Sequence, residues 1–439
     1  MRIELTIKTT YLPKWGVWEG IRELVQNAKD AETEFGAAMT VRHRKESDTL
    51  VIENEGTTLP HEALLLGFTS KQDRSDTIGK FGEGLKLGIL ALVRFGLKVK
   101  IRSGSEVWVP AIARSEKFDA NVLVFDVYKG RKFENRVSIE VGGFDSEAWS
   151  GIRSRFLFLT KPKALDCTTT HAGSLLCHAD HLGKVYVKGI LVSSNSGLQY
   201  GYDLSDAEID RDRKMVDSYD LGCRTNAIWM AALEREPALA SDYMRLLESQ
   251  AKDVDGMSGA YRASQISNES QGRLVDLFKA KHGPNALPVQ SLAESADIEH
   301  LGMQGVVVSA ALRVVLERSL GTAEQNALKL RKQPLESFGW HQLSEEERTN
   351  LTSAIELVNA QEPLTIADVD VRSFRDEAFE GFFRDGRVLL AKKVLADRSK
   401  TLLVLVHETA HKAGGADGDK AHVANLERIW SGIVAGLRG

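Results

Sequence analysis

In the segment EGIRELVQNAKDAE, Glu23, Asn27 and Asp30 stand four and three positions apart, which on a helix puts their side chains on one face. Three polar groups in register on an otherwise buried-looking helix suggest a site. Near the other end, HETAH sets His407 and His411 four apart, so both imidazoles point the same way and suit two ligands of one tetrahedral zinc. Glu408 between them is suited to take a proton from water activated there. The third ligand stays open, with His422 on the next helix and Asp419 as candidates. His422 is preferred, because imidazole is a common zinc ligand and the final helix can fold back on its predecessor.

Two further segments lie close to the first. VIENEGTTLP is a strand ending in a turn, where Asn54 can read the edge of a flat ring and Gly56 lets backbone approach it. In TSKQDRSDTIGKFGEGLKLG, Gly79, Gly82 and Gly84 precede a helix. Free backbone N–H groups and the positive helix end can hold phosphate oxygens there, with Lys71, Lys80 and Lys86 adding charge. No Gly-Lys-Ser/Thr closes the stretch, so it is not a Walker A loop. Cys177, His178 and His181, with His171 nearby, lack a second ligand pair at finger-like spacing and read as structural or surface groups.

The elements that must position these residues are legible from periodicity. Val17, Ile21, Leu24, Val25 and Ala28 recur at helical spacing from Trp15 to Lys29, and Asp48–Glu53 reads as a short strand. The apolar helix LGILALVRF follows the glycines, and strands are expected at Leu97–Ile101, Val107–Ile112 and Asn121–Tyr128. Further strands are expected at Val137–Val141, Arg155–Leu159 and Lys184–Val192, then a helix-rich stretch over 222–330. A strand at Arg387–Val394, a helix at Thr401–Lys412 and a final helix at His422–Leu437 close the chain. The fold class is α+β, with helices over one face of a mixed sheet.

The 439 residues exceed what one core usually organises, so more than one domain is expected. A net charge of -4 advertises no nucleic-acid partner. Three cysteines cannot staple a chain of this length, which points to a reducing compartment and a cytoplasmic protein. The first residues alternate like a strand rather than a signal peptide. No stretch nears the roughly 18 apolar residues of a membrane helix.

In this order and spacing the three N-terminal motifs resemble the GHKL, or Bergerat-fold, ATPases: gyrase B subunits, the heat-shock chaperone of the ninety-kilodalton class, MutL mismatch-repair proteins and microrchidia-type ATPases. Glu23, Asn27, Asp30 and Ala31 match the family's E-x-x-x-N-x-x-D-A box. IGKFGEG, from Ile78 to Gly84, is similar to the chaperone's I-G-x-F-G-x-G, and Thr69 to Lys71 to the MutL lid. The resemblance implies that Glu23 is the general base for water, that Asn27 ligates Mg2+, and that Gly79, Phe81, Gly82 and Gly84 belong to a lid over the phosphates of ATP. Asn54 stands where the family has an aspartate for the adenine amino group. An amide oxygen still accepts that hydrogen bond, while its NH2 end changes what else is read. Further on, YDLSDAEIDRDRKMV resembles the chaperone segment that carries a γ-phosphate sensor. It aligns Ile209, Asp210, Arg211 and Asp212 and nominates Arg211, with Lys184 and Lys188 as weaker candidates. HETAHKAGGAD is similar to the metzincin pattern, which nominates Asp417.

The expected organisation is a Bergerat α/β sandwich ATPase domain over 1–132, a second α/β domain of the S5-like transducer kind over 133–235, a helical region over 236–360 and a zincin-like module over 361–439. The expected function is ATP binding and hydrolysis with ATP-dependent homodimerisation, for which the resemblance points to residues 1–15, coupled to a zinc peptidase site acting on a peptide or protein client. The alternative is a nucleotide-gated clamp for protein or nucleic acid with a non-catalytic metal site.

Overall fold

The computed structural model describes residues 1–65, 83–162, 167–194, 197–205, 218–255, 257 and 263–437. The chain divides into two compact units, Met1–Arg224 and Thr225–Gly439. Both mix helices and strands, with four sheets among the described residues.

The N-terminal unit opens with β1 (Arg2–Lys8), α1 (Val17–Phe35), β2 (Met39–Arg44), β3 (Thr49–Glu55), α2 (Gly84–Arg94), β4 (Lys98–Ser115) and β5 (Ala120–Gly142). β5 is the axis of an antiparallel sheet. One edge pairs with β4, and the other pairs first with β1 and then with β3, which β2 flanks. Ile21, Leu24 and Val25 of α1 and Ile89, Leu90 and Leu92 of α2 are buried in one core with Leu50, Ile52, Ile101 and Phe125 of the sheet. The α1 backbone begins at Gly16, whose N–H donates to Glu19 at 2.8 Å, and stops at Gly36, where φ is 66°.

The strands expected at 97–101 and 107–112 are one strand, β4. Its register shifts around Gly104, where φ is 57°, so the gap between the two apolar runs is a bulge rather than a turn. Those expected at 121–128 and 137–141 likewise join as β5, and position 132 lies inside that strand.

After α3 (Ser146–Arg153) the strand expected at Arg155–Leu159 is absent as such. Phe156 makes a single antiparallel bridge to Ile190, and α4 (Leu157–Thr160) follows. A four-residue apolar run does not separate strand from buried helical turn by periodicity alone. A second sheet holds β6 (Cys167–Thr170), β7 (Gly173–Leu176), β8 (Lys184–Val187), β9 (Ile190–Ser194) and β10 (Gly201–Leu204) in the order β6-β7-β10-β8-β9. The strand expected over 184–192 is a hairpin. Lys188 and Gly189, at φ of 49° and 78°, form the two-residue left-handed turn that reverses it.

The C-terminal unit begins within α5 (Ser218–Arg235) and continues through α6 (Ala240–Ser249) and α7 (Asn268–His282). A βαβ unit follows, in which β11 (Ala286–Val289) and β12 (Gln304–Val307) pair in parallel around α8 (Leu292–Glu299). The helical stretch therefore contains a small parallel sheet that its polar composition does not announce. Next come α9 (Ala310–Leu320), α10 (Ala323–Arg331), β13 (Pro334–Phe338), α11 (Glu345–Asn359), β14 (Val369–Phe374), β15 (Gly381–Arg384), β16 (Arg387–Ala391), α12 (Arg398–Ala413) and α13 (Lys420–Gly436). The last sheet runs β13-β14-β16-β15, with β14 and β16 parallel and β15 at an edge. Val404, Leu405 and Val406 of α12 share its core with Val388 and Leu390 of β16 and Ile429 and Ile433 of α13.

Candidate functional sites

In the N-terminal unit the geometry starts from two glycines. A Cβ on Gly88 would stand 3.0 Å from the Gly20 carbonyl oxygen, and one on Gly84 would overlap Glu23 Oε2, with Asn27 Nδ2 at 3.7 Å. The missing side chains let α2 lie close against α1, so the polar face of α1 meets the first residue of α2. Glu23, Asn27 and Gly84 are thereby brought together.

Glu23 is buried, and its Oε1 accepts from Arg22 Nε at 3.1 Å and Nη2 at 3.0 Å. The Arg22 guanidinium also lies 5.3 Å from the centre of the Trp15 ring, so it is held by stacking as well as by charge. Asn27 donates from Nδ2 to the Glu23 carbonyl at 2.7 Å, a bond within α1 that fixes its rotamer. Asp30 is buried on the same helix.

Asn54 is buried at the end of β3. Its Nδ2 donates to the carbonyls of Ala28 and Ala37, each at 2.9 Å, so both amide hydrogens are committed to backbone and Oδ1 is the atom left to accept. Gly56, at φ 94°, makes the turn beyond it. Lys86 is fully buried and donates from Nζ to the carbonyls of Ala63 at 3.0 Å and Leu65 at 2.7 Å. Burial lowers its pKa, and Glu83 offsets part of that. Its ammonium thus joins α2 to the segment after β3. Lys71, Lys80, Gly79, Phe81, Gly82, Ile209, Asp210, Arg211 and Asp212 lie outside the described residues.

In the C-terminal unit, Asp397 caps α12 by accepting from Lys400 N at 2.9 Å, and the helix runs to Gly414, where φ is 124°. Gly415 at φ 97° and Gly418 at φ 84° carry the chain round into α13. A Cβ on Gly415 would stand 2.6 Å from the His422 backbone nitrogen, so the turn closes this tightly only with glycine there. Asn425 Nδ2 donates to the Gly414 carbonyl at 3.0 Å and ties the two helices together.

This turn brings His407, His411, Asp417 and His422 together, with one ligand atom from each lying within 4.8 Å of all the others. Among the described residues it is the one such group. His407 Nε2 and His411 Nε2 are 3.3 Å apart, and Asp417 Oδ1 stands 3.3, 3.2 and 3.8 Å from Nε2 of His407, His411 and His422. Zinc bonds of roughly 2.0–2.1 Å in a tetrahedron give ligand–ligand edges of about 3.3 Å, which the distances among His407, His411 and Asp417 match and the His422–Asp417 distance exceeds. His411 Nδ1 lies 3.0 Å from the Gly415 carbonyl, which holds the proton on Nδ1 and leaves Nε2 as a lone pair. The ring of buried His422 stacks on His411 with centroids 3.9 Å apart, and neither of its nitrogens has a hydrogen-bond partner among the described residues. Two orphaned imidazole nitrogens in a buried position fit a metal ligand. Of the three residues nominated for the third position, Asp417 and His422 are in the group. Asp419 is instead turned to the loop backbone and accepts from Ala416 N at 2.9 Å.

Glu408 lies beside the group and packs against the edge strand β15. It is buried, with Cγ 3.5 Å from where a Cβ on Gly381 would be, and it accepts from the Phe383 backbone N–H. Burial pushes its carboxyl up to about 7, against the pull of His411, and a divalent ion beside it would draw that value down. Burial lowers the His422 pKa, as do His411 and His407. In the second sheet His181 Nδ1 pairs with the Tyr186 hydroxyl at 3.1 Å, a core contact, and Cys167, Cys177 and Cys223 are free thiols.

No protein-family model matches the chain. An uncharacterized protein of Mycoplasma pneumoniae (strain ATCC 29342 / M129 / Subtype 1) is 23% identical over 231 residues, covering 49% of this chain and 92% of that protein. Among solved structures, the chain is similar to the ATPase region of Saccharomyces cerevisiae topoisomerase II bound to ICRF-187 (dexrazoxane), at 13% identity and a TM-score of 0.28, covering 40% of this chain and 62% of that one. It is similar also to the ATPase and transducer domains of DNA topoisomerase II from Balamuthia mandrillaris, at 13% identity and a TM-score of 0.27, covering 40% and 60%. The chain thus spans about three fifths of those structures. Likeness this slight leaves function to be read from the residues. No helix among the described residues is long and apolar enough to cross a membrane.

Proposed function

We propose that the N-terminal unit binds ATP with Mg2+ and hydrolyses it as a GHKL-type ATPase. The observation that supports this best is the meeting of Glu23, Asn27 and Gly84 at the start of α2. A carboxylate and an amide there face the N-terminal end of a helix, where backbone N–H groups and the helix dipole favour phosphate oxygens. Mg2+, when bound, would draw charge from the transferred phosphoryl group. Glu23 takes the proton of the attacking water at Oε2, the oxygen turned to α2, while Arg22 holds Oε1 and fixes the plane of the carboxylate. Asn27 supplies its side-chain oxygen to the ion, since its nitrogen is engaged within α1. Asn54 Oδ1 accepts from the adenine amino group, Arg211 senses the γ-phosphate, and two copies dimerise on ATP. Glu23→Gln tests this reading: nucleotide binding should persist and turnover should vanish.

The same proposal gives the C-terminal module, over 361–439, a zinc centre at His407, His411 and His422 with Asp417. Zinc, when bound, supplies a Lewis acid that polarises a carbonyl and acidifies water. In the peptidase form of this reading Glu408 holds the proton that moves between nucleophile and leaving group, on a peptide or protein client. The alternative, a nucleotide-gated clamp for protein or nucleic acid whose metal site is structural, is favoured by one observation: four protein donors close a tetrahedron. Loss of a generic casein substrate with wild type but not with Glu408→Ala would select the peptidase.

A further inference from the structure

We infer that Asp417 is a displaceable fourth ligand that closes the metal centre at rest and opens one coordination position when it leaves; this rests on the metal reading above. The four donors are unequal. His407 and His411 sit one turn apart on α12, and His422 lies in the first turn of α13, with its side chain only 3% exposed and stacked on His411. Three imidazoles on two packed helices form a fixed tripod. Asp417, by contrast, has a side chain 78% exposed and lies on the turn between those helices.

Asp417 reaches the tripod through one oxygen. Oδ1 lies 3.2 and 3.3 Å from Nε2 of His411 and His407 but 3.8 Å from that of His422. Its ion-pair partners among the described residues are those three histidines, with no lysine or arginine. The loop also keeps its shape without Asp417: Ala416 N donates to Asp419 Oδ2 at 2.9 Å, and Asp419 N donates to the Ala416 carbonyl at 2.9 Å. Withdrawing this carboxylate therefore breaks no backbone bond of the turn.

With Asp417 in place the donors are three imidazoles and a carboxylate, the closed four-protein-ligand arrangement of a structural site. With Asp417 withdrawn they are three imidazoles and one open position, the arrangement of a site that accepts an outside oxygen donor. Glu408, buried beside the group and not among its ligands, can serve a metal-bound water only in the open form. One centre can thus be latent or competent depending on a single exposed side chain.

The full-length chain loaded with Co2+ tests this by its visible absorption, with acetohydroxamate as the incoming ligand. Wild type should give intense four-coordinate bands that acetohydroxamate shifts only at concentrations well above those that act on Asp417→Ala; bands that no concentration shifts would mean a permanent ligand and overturn the inference. In Asp417→Ala and Asp417→Asn the bands should shift on its addition. Zinc affinity in these variants should fall by at least the roughly 10–100-fold that loss of an outer-shell partner costs. The inference is overturned if acetohydroxamate shifts the wild-type bands at the same concentrations as those of Asp417→Ala, or if Asp417→Ala keeps wild-type zinc affinity. In either case one equivalent of Co2+, lost in His407→Ala, would leave the metal site itself standing. A wild type that takes up no Co2+ overturns both. Because Asp417 is exposed, unchanged circular dichroism of the metal-free variants separates loss of a ligand from loss of fold.

Discussion

Arg22 and Glu23, neighbours in sequence, form an ion pair in which both side chains are buried, with guanidinium Nε and Nη2 at 3.1 and 3.0 Å from one carboxylate oxygen. Adjacent helix residues do not ordinarily face each other. Here the pair closes because Trp15 holds the guanidinium from the other side. Removing one partner of a buried pair strands the other. Arg22→Met should therefore destabilise the N-terminal unit by about 3 kcal/mol, read by denaturant unfolding, and the double variant with Glu23→Leu should recover most of it. No loss in Arg22→Met would mean that the pair does not hold the carboxylate.

Gly84→Ala tests the close approach of α2 to Glu23. The added methyl overlaps Glu23 Oε2, and overpacking of this kind costs about 1–3 kcal/mol. The expected result is a small drop in Tm with a much larger drop in ATP turnover, because the displaced oxygen is the proposed base. Wild-type turnover in this variant would place the base elsewhere.

Asn54→Asp changes one atom type and should be harmful. The amide nitrogen donates to Ala28 and Ala37, and a carboxylate oxygen in its place would face two carbonyls. Two bonds become two repulsions, so a loss of about 2–3 kcal/mol is expected, at least as large as for Asn54→Ala. If Asn54→Asp unfolds like wild type, the amide does not play this part.

Asp203 gives the pH dependence. Its carboxyl accepts from the Gly189 N–H at 2.8 Å, but burial dominates and pushes it up to about 6. An acid whose folded pKa lies above its unfolded value favours folding while protonated. Its contribution is full below about pH 4 and is lost as pH rises to about 6. Asp203→Asn keeps an acceptor for Gly189 without the charge. It should raise Tm at about pH 7–8, by a contribution on the order of 2–3 kcal/mol, and change it much less at about pH 4. An equal effect at both pH values would contradict the burial of the carboxylate.

The two sites differ in how far they can be read from the sequence. His407 and His411 are local in sequence, and their spacing alone sets them on one face. Asp417 and His422 stay alternatives there because Gly414, Gly415 and Gly418 carry the chain through left-handed backbone that no periodicity describes, and that turn brings both in. Glu23 and Asn27 are likewise legible from helical spacing, whereas Arg22 is not, since its role arises from a ring seven positions earlier. Lys86 reads in the sequence as a phosphate cation. Its burial on the apolar helix and the carbonyls of Ala63 and Leu65 give its ammonium another use, which a charged letter in a Gly-rich stretch does not reveal. Turns are hardest. Gly104 bulges within a continuous strand, and the Lys188–Gly189 reversal lies hidden in an apolar run because lysine rarely takes a left-handed backbone.

Glu23 is proposed to serve a bound nucleotide. Calorimetric titration of Mg·ATP into wild type and Glu23→Gln, followed by phosphate release from both, tests it most directly. Comparable binding by the two proteins, with phosphate released only by wild type, is the predicted result. A wild type with no affinity for Mg·ATP, or equal release by Glu23→Gln, would contradict it.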